Sequence, residues 1–289
     1  MLTPDQIEQY KTQGFLVLSN FASPDECRAM KERAHALVAN AGPRVDPRGV
    51  FDHQTKGNRL VSYSYFLEST NKVSLFFAAS AVDPDGLLRI DKNRAIVKIG
   101  HALHDYDPVF ERFSHSPRMH EVARAFGYKK ALIGQSRYFF KPPEFGAAIP
   151  AHQDSDKLYT EPLSCYALWL ALEKATTQNG CLWVSPGSHR TGLRCRYIRD
   201  HVKGTDQRIS LGNFEPIKDS SFIPLEVEEG TAIFMSGELF HKSNANTSTS
   251  TRQAYGLHFF EGDEGCKYPP ENWLQRPGGF GELRHLNYG

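Results

Sequence analysis

The sequence predicts a mainly β protein with supporting helices, in which short strands form an antiparallel barrel or jelly roll. From about residue 133 onward, short runs dense in β-branched and aromatic residues recur, separated by Gly, Pro, Asn and Ser. These runs cover residues 133–141, 166–172, 181–185, 222–227, 231–235 and 254–260. Helix signals concentrate before residue 130, so we expect helices of the first half to support one sheet of this core.

Two helices near the start of the sequence share one N-terminal device. Thr3-Pro4-Asp5-Gln6 and Ser23-Pro24-Asp25-Glu26 each combine a hydroxyl N-cap, a Pro at the first helical position and a Gln or Glu three residues on, which is a capping box. The second helix should run to about Val38, and residues 14–18 form a short buried strand between the two. A third helix is predicted at residues 116–126, ended by Gly127. Residues 40–60, rich in Gly, Pro, Arg and Asp, predict a loop.

Composition favours one globular domain and excludes several function classes. The 289 residues are 40% hydrophobic and 23% charged, and all-β cores of this size are commonly single domains. We expect one domain over residues 1–289, with support at 1–130, the jelly-roll core at 131–262 and a tail at 263–289. The net charge of +1 favours neither nucleic acid nor a membrane as partner, and the expected partner is a small molecule.

Compartment signals point to the cytoplasm. No apolar run reaches the length of a membrane span, and the first residues lack the basic and apolar regions of a signal peptide. The last residues do not match the Ser-Lys-Leu type of peroxisomal address. Five cysteines without paired spacing are typical of a reducing compartment rather than of a disulfide framework.

The stretch Ile149-Pro150-Ala151-His152-Gln153-Asp154 carries the strongest chemical signal. If it is extended, His152 and Asp154 leave the same face of a strand and can share one metal ion. His241, after an apolar run that begins at Gly230, would be the third ligand. Two imidazoles and one carboxylate on one face of an octahedral ion leave three positions open, which suits non-haem Fe(II) oxygenases. The alternative for the pair alone is a surface His beside a helix-capping Asp.

Seven residues together resemble the phytanoyl-CoA dioxygenase family of Fe(II)/2-oxoglutarate oxygenases. They are Lys98, His152, Asp154, Trp169, His241, Ser243 and Arg252. Residues 98–104, 158–163, 179–183 and 270–274 add to the resemblance, which covers nearly the whole chain. It implies a double-stranded β-helix of the cupin-like jelly-roll type. It also implies a reaction of 2-oxoglutarate and O2 that releases succinate and CO2 and hydroxylates a C–H bond of a small organic or acyl substrate.

The resemblance assigns a role to each of these residues. His152, Asp154 and His241 would bind Fe(II), and the carboxylate of Asp154 favours hydroxylation, because related halogenases lack it. Arg252 would pair with the distal carboxylate of 2-oxoglutarate, which a guanidinium fork suits, and Ser243 would add a hydroxyl bond. Lys98 would contact the cosubstrate, with a solvated lysine on a strand edge as the alternative. Trp169 would face the site, which is compatible with a place in the core.

Arg137 departs from the family pattern, because the family usually has Met fifteen residues before the first iron ligand. A guanidinium near the iron needs an anionic partner. We therefore expect Arg137 to face the pocket and to bind an acidic group of the cosubstrate or of the substrate. If the strand register slips by one residue, the side chain points to solvent instead.

Other polar features favour plainer interpretations. The run at residues 189–199 contains four arginines, for which a solvated surface is favoured over phosphate recognition. His101, His104 and His258 are predicted to be structural or pocket-lining rather than metal ligands. Two rival functions remain: a tailoring oxygenase of a secondary-metabolite pathway, and a non-catalytic protein that binds 2-oxoglutarate as a sensor or partner subunit.

Overall fold

Helices dominate the first half of the chain and strands the second, as predicted. The computed structural model describes residues 2–42, 50–51, 63–83, 85–200 and 205–284. Most of the loop predicted at residues 40–60 and the last five residues lie outside these ranges. The helices are α1 (Pro4–Gln13), α2 (Pro24–Ala39), α3 (Tyr63–Glu68), α4 (Lys92–Ala95), α5 (Leu103–Tyr106), α6 (Pro108–Ser114) and α7 (Pro117–Ala125).

The strands follow the predicted runs closely in the core. They are β1 (Phe15–Leu18), β2 (Val50–Phe51), β3 (Val73–Ala78), β4 (Ile96–His101), β5 (Ala131–Phe139), β6 (Ile149–His152), β7 (Tyr166–Ala171), β8 (Leu182–Val184), β9 (Cys195–Asp200), β10 (Thr205–Ser210), β11 (Ile223–Leu225), β12 (Ala232–Ser236), β13 (His241–Ser243) and β14 (Ala254–Glu261). The sequence predictions did not include β3, β4, β9, β10 and β13, and the loop predicted at residues 40–60 contains β2.

Both predicted capping boxes are present. The Thr3 hydroxyl accepts from the backbone N–H of Gln6 at 3.2 Å, and the Gln6 side chain accepts from the backbone N–H of Thr3 at 2.9 Å. Ser23 and Glu26 repeat this exchange at the start of α2. Gly14 ends α1 with φ +81°, a left-handed conformation that glycine adopts without a steric penalty. The predicted helix starts are therefore confirmed.

Two sheets of different size build the core. The larger has eight strands in the order β1-β12-β7-β14-β5-β4-β3-β2, and the smaller has four in the order β11-β8-β13-β6. All pairs in both sheets are antiparallel except β2 with β3. Strands β9 and β10 form a separate hairpin. The predicted jelly roll supported by helices is confirmed.

The two faces of the large sheet have different partners, because successive side chains of a strand point to opposite sides. One face packs against the buried residues of α2, α6 and α7, and its own members include Tyr138, Leu168, Leu170, Phe234, Tyr255 and Leu257. The other face turns toward the small sheet and includes Trp169, Ala171, Ile233, Met235 and Ala254. The helices therefore cover one side and leave the other free to form a site.

The segment after β14 is bound to the core. The backbone N–H of Leu283 donates to the carbonyl of Ala131, and that of Ile133 donates to the carbonyl of Gly281, both at 2.9 Å. Trp273 and Leu274 are buried in a cluster with Leu158 and Cys165. Residues 263–284 are therefore packed against the core. No helix in the described ranges is long and apolar enough to cross a membrane.

Candidate active site

The structure brings His152, Asp154 and His241 together where the small sheet faces the large one. His152 ends β6 and pairs directly with His241, the first residue of β13. The Nε2 atoms of both rings lie 3.6 Å from the carboxylate of Asp154, one on each oxygen. One ligand atom from each residue lies within 4.8 Å of the other two. The pairing of β6 with β13 and the extended backbone at Gln153 therefore bring the three predicted ligands together.

Hydrogen bonds to the backbone hold both imidazoles in one tautomer. His152 Nδ1 donates to the carbonyl of Pro150 at 2.8 Å, and His241 Nδ1 donates to the carbonyl of Leu239 at 3.1 Å. Each ring therefore presents the lone pair of Nε2 to the shared carboxylate, which is how metal-binding histidines are commonly oriented. Burial lowers the pKa of His241 to about 4, so this ring is neutral at neutral pH.

These residues fit a first-row metal ion. Bonds from such an ion to nitrogen and oxygen are roughly 2 Å long, so adjacent ligand atoms lie about 3 Å apart. The observed 3.6 Å is within a small side-chain adjustment of that spacing. Although burial opposes ionisation of Asp154, the charges that His258 and His241 carry in the acid range, where their own rings are protonated, hold the pKa of this carboxyl well below the ordinary value. A donor set of two neutral imidazoles and one carboxylate suits Fe(II).

Gln153 anchors the turn between the two ligands. Its side chain points away from the metal ligands and donates to the carbonyls of Gly192 and Glu238 at 3.0 and 2.7 Å. Its side-chain oxygen Oε1 accepts from the backbone N–H of Arg194 at 3.0 Å. The spacing of His152 and Asp154 is therefore fixed by a fully bonded residue between them.

Arg252 lies buried at the far end of the same cavity. Its Nε donates to the carbonyl of Gly180 at 3.1 Å, and its guanidinium lies 5.2 Å from the centre of the Trp169 ring. Nη1 is buried and has no hydrogen-bond partner among the described residues. The Ser243 hydroxyl donates to the same Gly180 carbonyl at 2.9 Å. Arg252 Nη1 is thus a donor ready for an anion, whereas Ser243 would have to exchange its partner to donate.

Lys98 is buried, so the alternative of a solvated lysine on a strand edge is wrong. It lies on β4, which is flanked by β3 and β5, and its side chain is covered by the rings of Phe66 and Phe76. Its Nζ lies 3.4 Å from Nε2 of His101. Burial, aided by the charges of nearby Arg137 and Lys157, holds the pKa of Lys98 well below the ordinary value.

His101 is held in the orientation that accepts from Lys98. The Ser69 hydroxyl donates to the carbonyl of Phe66 at 2.5 Å, so it accepts from His101 Nδ1 at 2.7 Å. The lone pair of His101 Nε2 therefore faces Lys98. His104 is also structural, since its Nδ1 contacts the Ser136 hydroxyl at 2.8 Å. Both histidines behave as predicted.

Arg137 faces the cavity, and the contacts that define its surroundings are to His258 and Asp154. Its Nη2 lies 2.9 Å from His258 Nε2 and 3.9 Å from Asp154 Oδ1. His258 Nε2 in turn lies 3.1 Å from Asp154 Oδ2. Burial lowers the pKa of His258 to about 4, so its ring is neutral. His258 lines the pocket, as predicted, and it also contacts the carboxylate of the candidate metal site.

A cavity of about 1030 Å³ joins these residues. Its inner part contains the seven residues of the sequence pattern together with Arg137. The outer wall comes from the hairpin of β9 and β10, residues 210–217 and Trp273 of the C-terminal segment. The cavity is large enough for a cosubstrate and a small organic molecule together.

The arginine-rich run is solvated only in part: Arg190 is exposed, whereas Arg194 and Arg196 are partly buried. Arg194 lines the cavity and lies 4.8 Å from the Phe240 ring. Arg196 points elsewhere: it pairs with Glu271 at 3.2 Å and lies 3.7 Å from the Tyr159 ring. Only 12% of the Arg196 side chain is exposed. The predicted solvated face is therefore wrong at Arg196, because Glu271 of the C-terminal segment pairs with its guanidinium.

The sequence predictions did not place His258 in contact with a candidate metal ligand, and they did not include Gln135 among the cavity residues. A simple signal was available for both, because inward-facing residues of a strand are two apart. Counting from Arg252 in steps of two along β14 reaches Gly256 and His258, and one step back from Arg137 along β5 reaches Gln135. The Oε1 atom of Gln135 is buried without a hydrogen-bond partner among the described residues, and its Nε2 lies 3.4 Å from His258 Nδ1.

Lys141, next to the Arg252 site, offers a test of the energetics of this region. It is 5% exposed, its Nζ donates to the carbonyl of Ala147 at 2.9 Å, and burial together with the charge of Arg252 lowers its pKa to about 6. Its unfolded pKa is about 10.4. Between these two values the unfolded chain binds a proton that the folded chain does not, so stability should rise with pH across that window.

We therefore expect Lys141→Met to stabilise the protein at pH 7. The change removes the cost of deprotonating or burying the ammonium, on the order of a few kcal/mol, and loses one hydrogen bond worth about 1 kcal/mol. Urea unfolding at pH 7 and pH 9 should show a higher free energy of unfolding at pH 7 and a weaker pH dependence than in the wild type. Lys129→Met, at an exposed lysine, is the control. Equal stability and equal pH dependence of Lys141→Met and wild type would contradict the expectation.

Comparison with known proteins adds sequence relatives of nearly equal length. A family model described as "Phytanoyl-CoA dioxygenase (PhyH)" matches residues 10–254. The chain is 40% identical over 276 residues to "Phytanoyl-CoA dioxygenase" of Arabidopsis thaliana, covering 95% of this chain and 94% of the relative. It is also 40% identical over 278 residues to "Phytanoyl-CoA dioxygenase domain-containing protein 1" of Bos taurus, covering 95% of both chains.

Solved structures share the fold at low sequence identity. The epimerase SnoN, crystallised in complex with Fe3+, alpha ketoglutarate and nogalamycin RO, is similar with a TM-score of 0.64 and 14% identity. The match covers 97% of this chain and 98% of that one. The similarity extends over the helices and both sheets, so the jelly roll and its supporting helices belong to one architecture.

Proposed function

Because the chain belongs to the phytanoyl-CoA dioxygenase family, we propose that it is an Fe(II)- and 2-oxoglutarate-dependent dioxygenase. It would hydroxylate a C–H bond of a small organic or acyl substrate and release succinate and CO2. The observation that carries this proposal is the convergence of His152, Asp154 and His241, with both Nε2 atoms directed at one carboxylate. The bound iron and 2-oxoglutarate supply the oxidising chemistry with O2, and the protein supplies positions and charges.

The chain's own residues divide the work of binding. His152, Asp154 and His241 would hold the iron. Nη1 of Arg252 would bind the distal carboxylate of 2-oxoglutarate, since it is a buried donor in the cavity without a hydrogen-bond partner among the described residues. Trp169 restricts the Arg252 guanidinium from one side, and Gly180 fixes it through Nε.

Lys98 and Ser243 would complete the cosubstrate site. The ammonium of Lys98 reaches the cavity from β4, and its acceptor His101 holds it there. Ser243 lies beside Arg252 through their common acceptor, the Gly180 carbonyl. Arg252 and Lys98 are themselves buried, so their charged contacts with the cosubstrate would be stronger than contacts in open solvent.

An anaerobic titration tests the proposal. Fe(II) and then 2-oxoglutarate are added to the purified protein while the absorbance of the complex is followed, and succinate is measured after O2 is admitted, with and without a library of candidate substrates. We expect stoichiometric binding of both and succinate formation above that of a His241→Ala control. Binding of 2-oxoglutarate without any succinate would favour the non-catalytic sensor. Failure to bind either would overturn the proposal.

A further inference from the structure

Arg137 lies between two glycines of the neighbouring strands. On β5 it pairs with Gly100 of β4 on one side and with Gly256 of β14 on the other. Neither neighbour has a side chain, so no side chain of a paired residue flanks the arginine in the sheet, and the ring of Phe139 on the same strand lies 5.5 Å from its guanidinium. The guanidinium can therefore lie flat against the sheet toward the metal ligands, and 25% of the Arg137 side chain remains exposed, in the cavity.

The present contacts of this guanidinium leave most of its donors unused. Both of its hydrogen-bond contacts are made by Nη2, to the neutral ring of His258. Nε is buried without a partner among the described residues. The carboxylate that lies within ion-pair distance is Asp154, at 3.9 Å. A guanidinium offers five N–H donors in a fixed fork, so this site satisfies it only in part.

Metal binding would weaken the attraction between Arg137 and Asp154. Asp154 is one of the three candidate ligands, and its negative charge would be committed to a divalent ion. Arg137 would then lie beside a dication in a buried pocket. Two like charges at such a distance repel strongly at low dielectric, and a buried cation without an anion is costly. The loaded site therefore requires a further negative charge near Arg137.

The cosubstrate does not supply enough negative charge for the whole cavity. Among the described lining residues, seven are lysines or arginines and three are acidic. Five basic residues still remain without Lys98, whose pKa is lowered by burial, and Lys242, which pairs with Asp219 outside the lining. The two carboxylates of 2-oxoglutarate only match the two charges of the metal ion, so the positive excess of the lining remains. A cavity lined by one sign of charge attracts ligands of the other sign.

The position of Arg137 also separates it from the distal carboxylate site. Gly256, its partner on β14, comes four residues after Arg252. At about 3.3 Å per residue, the two arginines are roughly 13 Å apart along the strand direction. Arg252 thus serves one end of the cavity and Arg137 the metal end, where the substrate must approach to react.

We propose that the substrate of this protein carries an acidic group, a carboxylate or a phosphate, which Arg137 binds beside the metal. This inference rests on the proposed function, since it takes the metal and 2-oxoglutarate as bound. It names the class of substrate: an organic acid or phosphate oxidised near its acidic end. A guanidinium fork recognises either group by paired N–H donors.

Equilibrium binding tests the inference without turnover. The protein is loaded with Mn(II), which stands in for iron, and with saturating 2-oxoglutarate. Calorimetry then compares hexanoate, hexyl phosphate and hexanamide, which share a six-carbon chain and differ in charge at one end. We expect the wild type to prefer one or both anions over the amide by at least roughly tenfold. The stronger of the two anions identifies the acidic group.

Three variants separate this role from others. Arg137→Met should lose the preference for the anion, whereas Arg137→Lys should keep much of it. Arg208→Met, which removes a positive charge from the outer wall of the same cavity, should retain the preference. Circular dichroism confirms that each variant is folded, and Arg137→Gln replaces Arg137→Met if the latter is not.

Each outcome has a definite meaning. A wild type that loads Mn(II) and 2-oxoglutarate but does not prefer an anion overturns this inference and leaves the proposed function standing. A preference that survives in Arg137→Met also overturns it. Loss of 2-oxoglutarate binding in Arg137→Met would assign the arginine to the cosubstrate instead. A wild type that binds neither Mn(II) nor 2-oxoglutarate overturns the proposed function itself.

Discussion

His241→Ala is expected to lose tight binding of a divalent metal ion and, with it, all succinate formation. The ring of His241 supplies one of the three candidate ligands found among the described residues, and its Nε2 lies 3.6 Å from the carboxylate that both histidines share. Changes that merely disturb the neighbours of a metal ligand commonly cost 10–100-fold in affinity, so removal of a ligand should cost about 100-fold or more. Titration with Mn(II), followed by the electron paramagnetic resonance signal of the free ion, measures this directly.

The matched control is His120→Ala, on α7 and outside the cavity. It should bind Mn(II) with wild-type affinity, so a loss confined to His241→Ala identifies ligation rather than general damage. A crystal structure with Mn(II) bound gives the decisive geometry. Any of the three side chains more than about 4 Å from the ion would refute the assignment, since direct ligation needs roughly 2 Å.

Arg252→Ala should weaken 2-oxoglutarate binding by roughly 30-fold or more while Mn(II) binding stays close to that of the wild type. The loss of a buried ion pair between guanidinium and carboxylate costs about 2–5 kcal/mol. The fold should tolerate the change, because Ser243 still donates to the Gly180 carbonyl and removal of a buried positive charge makes protonation of Lys141 less unfavourable. Calorimetric titration of the Mn(II)-loaded protein with 2-oxoglutarate gives the affinity.

Two further variants sharpen this test. Arg252→Lys keeps the charge but not the fork, so it should recover part of the affinity. Arg94→Ala, at an arginine whose side chain is 63% exposed, should have no effect. Unchanged affinity in Arg252→Ala would show that the distal carboxylate is held elsewhere, with Lys98 and Arg137 the next candidates.

The sequence predicted those parts of the fold that local signals determine. The capping boxes at Thr3 and Ser23 gave the right helix starts, because each box is complete within four residues. The core strands followed from runs of β-branched and aromatic residues between turn residues. The candidate metal ligands were recognisable because side chains two residues apart on an extended backbone, such as those of His152 and Asp154, leave the same face of the strand.

Features set by distant contacts could not be predicted in this way. The Arg196 side chain looked solvated because its partner Glu271 lies 75 residues later in the sequence. A lysine on a strand is usually exposed at a sheet edge, yet the strand of Lys98 lies between β3 and β5. His258 contacts Asp154 across more than 100 residues, so only the alternation along β14 could have pointed to it.

The strand order of the large sheet has a consequence for how the protein folds. β14, the last strand in sequence, lies in the middle of that sheet, between β7 and β5. Without it, β1, β12 and β7 form one ribbon and β5 to β2 another, and no other strand pairing among the described residues joins them. During synthesis the strands of both ribbons emerge before β14, so the edges of β7 and β5 stay unpaired until β14 is made. Unpaired strand edges and late long-range pairing favour slow folding and aggregation. Since Arg252 and His258 accompany β14, the nascent chain would acquire its binding cavity only in the step that closes the sheet.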